Sequence, residues 1–264
     1  MSVLPSKTSR GARGKSRAGM AFYDLDGTLC ALNLVHSTLF ILANLGEWSS
    51  RVGHLLSFAA RTPRLYFAER KDRRLLNEVL FESYQGISAD RLLALGEEYC
   101  ERVLLKHLYP RAVEVLDANR GAGLEPVLVT GAPDFIANPL ARHLGVNHVA
   151  ANRLLMSRGR ATGRIAPPVM AAEEKAAWCV EFAAEHNLSL AACWGYADSY
   201  YDLPFLAALG HPIAVNPDRK LRAAARGRQW PILNFDHSRD TYSGATPDGA
   251  RALEISGETI DGAS

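Results

Sequence analysis

Along the chain the spacing of apolar positions changes twice, and the changes mark its organisation. The run Met20-Ala-Phe-Tyr-Asp-Leu25, bounded by Gly19 and Gly27, is short, aromatic and largely apolar. It predicts a buried strand that ends in a tight turn. From Leu32 to Lys106 apolar residues recur at three and four, as in Leu92, Leu95, Tyr99 and Val103. Nothing strand-like interrupts them, so this stretch predicts a block of roughly four helices, with breaks near Gly46, Thr62-Pro63 and Gly86. After Pro110 strands and helices alternate. The expected helices are 110–121, 134–144, 172–186, 202–209 and 217–227. Between them fall expected strands Pro126–Thr130, 147–151, Ala191–Tyr196, Ile213–Val215 and Ile232-Leu233, with a hairpin over 153–165. Strands separated by helices imply parallel pairs joined by right-handed crossovers. The fold class is α/β, with a mainly parallel sheet and an all-helical insert after the first strand.

Composition narrows the function classes. The 264 residues are 48% apolar and 22% charged, which is globular. Lys and Arg number 30 against 28 Asp and Glu, a net charge of only +2. The imbalance sits at the ends: residues 1–18 carry five bases and no acid, and residues 236–264 carry six acids against Arg239 and Arg251. Both ends are polar and are expected to be disordered. A neutral body argues against nucleic acid as a partner. The four cysteines form no CxxC pair and the histidines no HExxH spacing, so a zinc site is not expected and the thiols read as reduced. The chain lacks an apolar run approaching the roughly 20 residues that span a bilayer, and no signal peptide pattern follows the basic start. A cytoplasmic location without membrane insertion is expected.

In open parallel sheets ligands bind beyond the carboxyl ends of the strands. Those ends carry Asp24-Leu-Asp26-Gly27-Thr28, Thr130-Gly131, and Asp198-Ser199 with Asp202 four residues on from Asp198; Lys175 stands near a helix start. Three converging aspartates need a cation, and oxygen-only ligands favour Mg²⁺. A threonine hydroxyl with backbone N–H groups at a helix start cradles an anion, and a lysine adds a point charge for phosphate oxygens. Together these suit phosphoryl transfer. Each residue also has a plainer use. Asp24 and Asp26 could be turn residues, Thr130 and Asp202 could cap helices, and Lys175, following Glu173 and Glu174, could mark a solvated helix start. Arg61, Arg64, Arg70, Lys71, Arg73 and Arg74 read as a solvated face from which one or two side chains could touch substrate, and His36 and His54 read as structural.

The motifs Asp-Leu-Asp-Gly-Thr-Leu, Val-Thr-Gly, Lys175 and Ala-Asp-Ser-Tyr-Tyr-Asp, in that order, resemble those of the haloacid dehalogenase (HAD) superfamily phosphatases. The helical insert after the first motif is similar to the cap of the phosphoserine-phosphatase-like branch, subfamily IB, and the later stretch Gly210–Arg222 resembles the bacterial hydrolases of that subfamily. The resemblance implies a Rossmann-like core over 19–30 and 108–235 and a cap over 31–107. It implies that Asp24 is the nucleophile that forms an aspartyl-phosphate and that Asp26 is the general acid and base. Mg²⁺ would be held by the side chains of Asp24 and Asp198 and the carbonyl of Asp26. Thr130, Gly131 and Lys175 would bind the phosphoryl group, and Asp202 would orient Lys175 or metal-bound water. The expected substrate is a small phosphorylated metabolite. Phosphoserine phosphatases carry a glutamate soon after the first motif for the substrate ammonium group, whereas here no acid lies between Asp26 and Glu47. Alternatives are phosphoserine itself, a lysophospholipid or other phosphate ester, transfer to a hydroxyl acceptor, or a binding protein with little turnover.

Overall fold

The computed structural model describes residues 19–46 and 48–235; the two oppositely charged ends, expected to be disordered, lie outside the described residues. The first strand, β1 (Gly19–Tyr23), is buried along its whole length. Helices α1 (Leu34–Ala43), α2 (Trp48–Lys71), α3 (Arg73–Phe81) and α4 (Ala89–Arg102) follow before the chain returns to the sheet. Then come α5 (Pro110–Gly121), β2 (Leu124–Pro133), α6 (Asp134–His143), β3 (His148–Ser157) and β4 (Arg160–Ala166). The remainder is α7 (Glu173–Glu185), β5 (Trp194–Ala197), α8 (Leu203–Ala207), β6 (His211–Val215), α9 (Arg219–Gly227) and β7 (Ile232–Leu233).

The helix starts follow from local chemistry. Asn33 accepts hydrogen bonds from the N–H groups of Val35 and His36 at the head of α1, with the His36 ring in the same cap. Ser88 caps α4 and Asp218 caps α9 in the same way. His54 lies 3.2 Å from the carbonyl of Ser83, tying α2 to the turn after α3. Both histidines make contacts of this kind.

The helical insert departs from expectation at one place. The chain does not break at Thr62-Pro63: α2 runs through Pro63, and the break falls at Asp72, whose carboxylate caps α3 through the N–H of Arg74. A proline inside a helix frees the carbonyl four residues back. Ala59 and Pro63 both lie on the exposed side of α2, where water can satisfy that carbonyl.

The sheet has seven strands in the order β4-β3-β2-β1-β5-β6-β7, parallel except for the β3–β4 hairpin at one edge. The strand expected over Ala191–Tyr196 begins later, at Trp194, because Leu190–Ala192 forms a 3₁₀ turn. Alternate residues of β1 face opposite sides. Tyr23 enters a core shared with α5, α6 and the helical insert, and Phe22 enters a second core under α7, α8 and α9. All four cysteines are free and buried in these cores or at their edges. Among the described residues no helix is long and apolar enough to cross a membrane.

Candidate active site

β1 has β2 on one side and β5 on the other, so the chain leaves the sheet in opposite directions there and a crevice opens beyond the carboxyl end of β1. Asp24 is the first residue past β1, and its N–H is held by the carbonyl of Tyr196 at 2.9 Å. Asp198 is the first residue past β5. Gly27 allows the two loops to meet. It has φ +77°, and a Cβ there would fall 2.2 Å from Asp198 Oδ2, so only glycine fits. Thr28 Oγ1 donates to Asp198 Oδ1 at 3.3 Å, and Asn216 Nδ2 donates to the carbonyl of Gly27 at 3.2 Å.

Lys175 lies in the first turn of α7, yet it is buried. Its Nζ sits 2.8 Å from Asp24 Oδ1 and 2.8 Å from Asp202 Oδ1. A solvated helix start is thereby overturned as the account of Glu173-Glu174-Lys175: the two glutamates lie toward solvent, and the lysine points across the crevice. Asp202 precedes α8 but makes no side-chain cap there; its carboxylate is spent on Lys175. Thr130 likewise does not cap α6, whose preceding residue is Pro133. It is fully buried, and its Oγ1 accepts from the N–H of Ala132 at 3.1 Å. The β2–β3 ladder shifts register between Val129 and Pro133, the kind of irregularity that releases backbone groups from a sheet. Asn152 pins this segment: its Nδ2 donates to the carbonyl of Gly131 at 2.8 Å and its Oδ1 accepts from Met170 N–H at 2.7 Å.

The electrostatics are strained toward negative. One carboxylate oxygen from each of Asp24, Asp198 and Asp202 lies within 4.8 Å of the others. Burial raises the pKa of Asp24, opposed by Lys175 and reinforced by Asp202. Asp198 is pushed well above the carboxylate range by burial and by the charges of Asp24 and Asp202. Asp26 is pushed up to about 7, first by burial and then by Asp24, with Arg73 and Lys175 pulling it down. The side-chain cluster therefore contains Asp202 together with Asp24 and Asp198, whereas Asp26 stands beside it as a carboxyl poised near neutrality. An all-oxygen, partly buried and under-neutralised cluster fits a hard divalent cation.

Sequence reasoning missed several residues at this crevice. Asn152 and Asn216 act by holding loops. Asn77 of α3 is 2% exposed, and its Nδ2 lies 2.9 Å from where a Gly131 Cβ would stand. Arg73, one turn earlier on α3, feels the carboxylates of Asp26, Asp202, Asp24 and Asp198; their charges outweigh its burial and raise its pKa. No local motif signals Asn152, Asn77 or Arg73, while Asn216 falls in the family-like stretch Gly210–Arg222. The nearest signal for Arg73 is its place among the insert's basic residues, one or two of which could touch substrate.

Known proteins place the chain clearly. The sequence profile of the haloacid dehalogenase-like hydrolases matches residues 21–207. A protein of Mycobacterium tuberculosis named as a probable phosphatase is 31% identical over 233 residues, which cover 88% of this chain and 80% of that protein. A phosphoserine phosphatase of the same organism is 32% identical over 176 residues, 67% of this chain and 57% of that protein. The crystal structure of a protein of unknown function from Bordetella pertussis Tohama I superposes with a TM-score of 0.70 at 28% identity, covering 82% of this chain and 98% of that one.

Proposed function

The chain belongs to the haloacid dehalogenase-like hydrolases and is a phosphatase of that family, and from that premise we propose that it hydrolyses a small phosphomonoester through an aspartyl-phosphate on Asp24, with Mg²⁺ as cofactor. The observation that carries this reading is the meeting of Asp24, Asp198, Asp202 and Lys175 in one buried crevice beside Asp26.

Asp24 attacks phosphorus, and the bond from phosphorus to the ester oxygen breaks. Asp26, with a pKa near 7, gives its proton to that oxygen and then takes one from the water that attacks the aspartyl-phosphate. Lys175 holds one oxygen of Asp24 in place and offsets the negative charge gathered there, while Asp202 fixes the lysine from the other side. Thr130 and Gly131 present a hydroxyl and an N–H to the transferring group. Asp24 and Asp198 would hold the metal through their side chains and Asp26 through its carbonyl. When bound, Mg²⁺ would supply the positive charge that the cluster lacks and that a phosphate dianion needs.

The block of helices α1–α4 acts as a cap over the crevice, limiting water during attack and selecting the ester. The similarity to a phosphoserine phosphatase makes phosphoserine the first natural ester to try. The lack of any acid between Asp26 and Glu47 favours an ester without an ammonium group, since such a charge would lack a partner there.

The test is phosphate release from an aryl phosphate with Mg²⁺ or with EDTA, for the wild type and Asp24→Asn. Release that needs Mg²⁺ and falls by about 10³-fold or more in the variant is expected. Release that survives the substitution would remove Asp24 from the role of nucleophile.

A further inference from the structure

The floor of the crevice comes from the sheet, but one wall comes from α3, and that wall has chemistry of its own. Asn77 is buried, and its Nδ2 has no hydrogen-bond partner. An amide nitrogen buried without an acceptor is costly, so a side chain kept in that state calls for a ligand. Its neighbour is Gly131, whose missing side chain leaves room for the amide: a Cβ would come 2.9 Å from Asn77 Nδ2 and 3.3 Å from the carbonyl of Met170. The amide donor is thus aimed at the Thr130-Gly131 segment, where the phosphoryl group would lie. Arg73 precedes Asn77 by four residues on α3, which puts both on one face of the helix. Leu76, Val79 and Leu80 anchor that helix in the core, so the face has little freedom to turn.

We propose that Asn77 and Arg73 of the helical insert complete the anion cradle begun by Thr130, Gly131 and Lys175, donating hydrogen bonds to the non-bridging oxygens of the bound phosphoryl group. The inference rests on the phosphomonoesterase reading and extends it: the insert contributes to the chemical centre as well as shaping the space above it. The charge around Arg73 agrees, because the four carboxylates of the crevice act on its guanidinium. A phosphoryl dianion would give that guanidinium a ligand with geometry it matches well.

The experiment uses the full chain with Mg²⁺, two esters with unlike leaving groups (an aryl phosphate and a small neutral alkyl phosphate), and inorganic phosphate as inhibitor. Asn77→Ala, Arg73→Ala and Arg73→Lys are compared with the wild type, and a thermal melt of each shows that it is folded. Loss of kcat/KM by about 10- to 100-fold for both esters alike is expected for the two alanine variants, with inhibition by inorganic phosphate weakened about tenfold. Added guanidinium ion should restore part of the Arg73→Ala rate, which a purely structural role would not allow. Unchanged phosphate inhibition, or a loss confined to one ester, would overturn the proposal and make α3 a reader of the leaving group. Should Asn77→Ala fail to fold, the Arg73 pair in the first turn of the helix still decides. A wild type that turns over neither ester counts against the phosphomonoesterase reading alone; binding of inorganic phosphate by calorimetry, wild type against variants, then tests the cradle by itself.

Discussion

Two buried polar clusters sit on the same pair of strands, a residue or two apart, and behave in opposite ways. Tyr23 on β1 faces Tyr196 on β5 in register, their rings stacked at 4.6 Å with 8° between planes. Asn119 of α5 gives Nδ2 hydrogens to both hydroxyls, at 2.6 and 2.7 Å. Burial, with Tyr196 alongside, holds the Tyr23 phenol well above its usual pKa, so this cluster is neutral. One residue beyond Tyr23 stands Asp24, and two beyond Tyr196 stands Asp198, in a cluster whose carboxylates outnumber the ammonium group of Lys175. The first cluster carries no charge, and although Asn119 Oδ1 is left without a partner, it serves packing. The second is left with surplus negative charge that the described residues do not neutralise. Burial of polar groups is therefore no sign of function by itself; burial of unbalanced charge is.

The sharpest way to break that contrast is to unbalance the charged cluster further. Lys175→Met leaves Asp24 and Asp202 buried without their shared partner. A loss of about 3 kcal/mol in stability without Mg²⁺ is expected, with kcat lower by at least about 100-fold. Urea denaturation and steady-state kinetics read the two effects, and a variant as stable as the wild type would deny that the ion pair matters. Asp198→Asn moves the balance the other way. It should raise the stability of the Mg²⁺-free protein by about 1 kcal/mol, remove most of the stabilisation that added Mg²⁺ provides, and abolish turnover. Thermal melts with and without Mg²⁺ check this, and an undiminished Mg²⁺ shift would place the cation elsewhere. The smallest effect belongs to the neutral cluster. Tyr196→Phe removes one hydroxyl and leaves an Asn119 N–H without its acceptor, costing about 1 kcal/mol, with kcat/KM within about twofold of wild type. A larger fall in activity would show that the clusters are coupled through β1 and β5.

How much of the site could be read in advance depended on where each residue sits. Asp24 and Asp198 stand directly after strands, Asp26 lies two residues on from Asp24, and Thr130 lies in the carboxyl-terminal half of β2; this end of a parallel sheet points to the ligand crevice whatever the rest of the fold does. Lys175 stood among glutamates on a helix, where local context suggests solvent; only the docking of α7 against the sheet turns it inward to Asp24. Asp202 has two readings in the sequence, a helix cap and a partner of Lys175; the contact with Lys175 and the lack of a side-chain cap decide for the second. Asn77 was illegible because α3 has no motif, Arg73 could not be told apart from the other basic residues of the insert, and the place of α3 beside Gly131 arises from long-range packing. The same division holds for the fold. Alternation after Pro110 marks the α/β unit, while the run of α2 through Pro63 depends on which side of the helix meets water.

By itself, the sequence determined the order of strands and helices, the helical stretch after β1, and the carboxylates at strand ends, because these follow from periodicity, turn chemistry and chirality within a few residues. Tertiary structure alone decided the sheet order with β1 between β2 and β5, the sharing of Lys175 by Asp24 and Asp202, and the approach of α3 to Gly131. Those depend on contacts between residues far apart in the chain, and no local rule states which distant side chain will fill a given space.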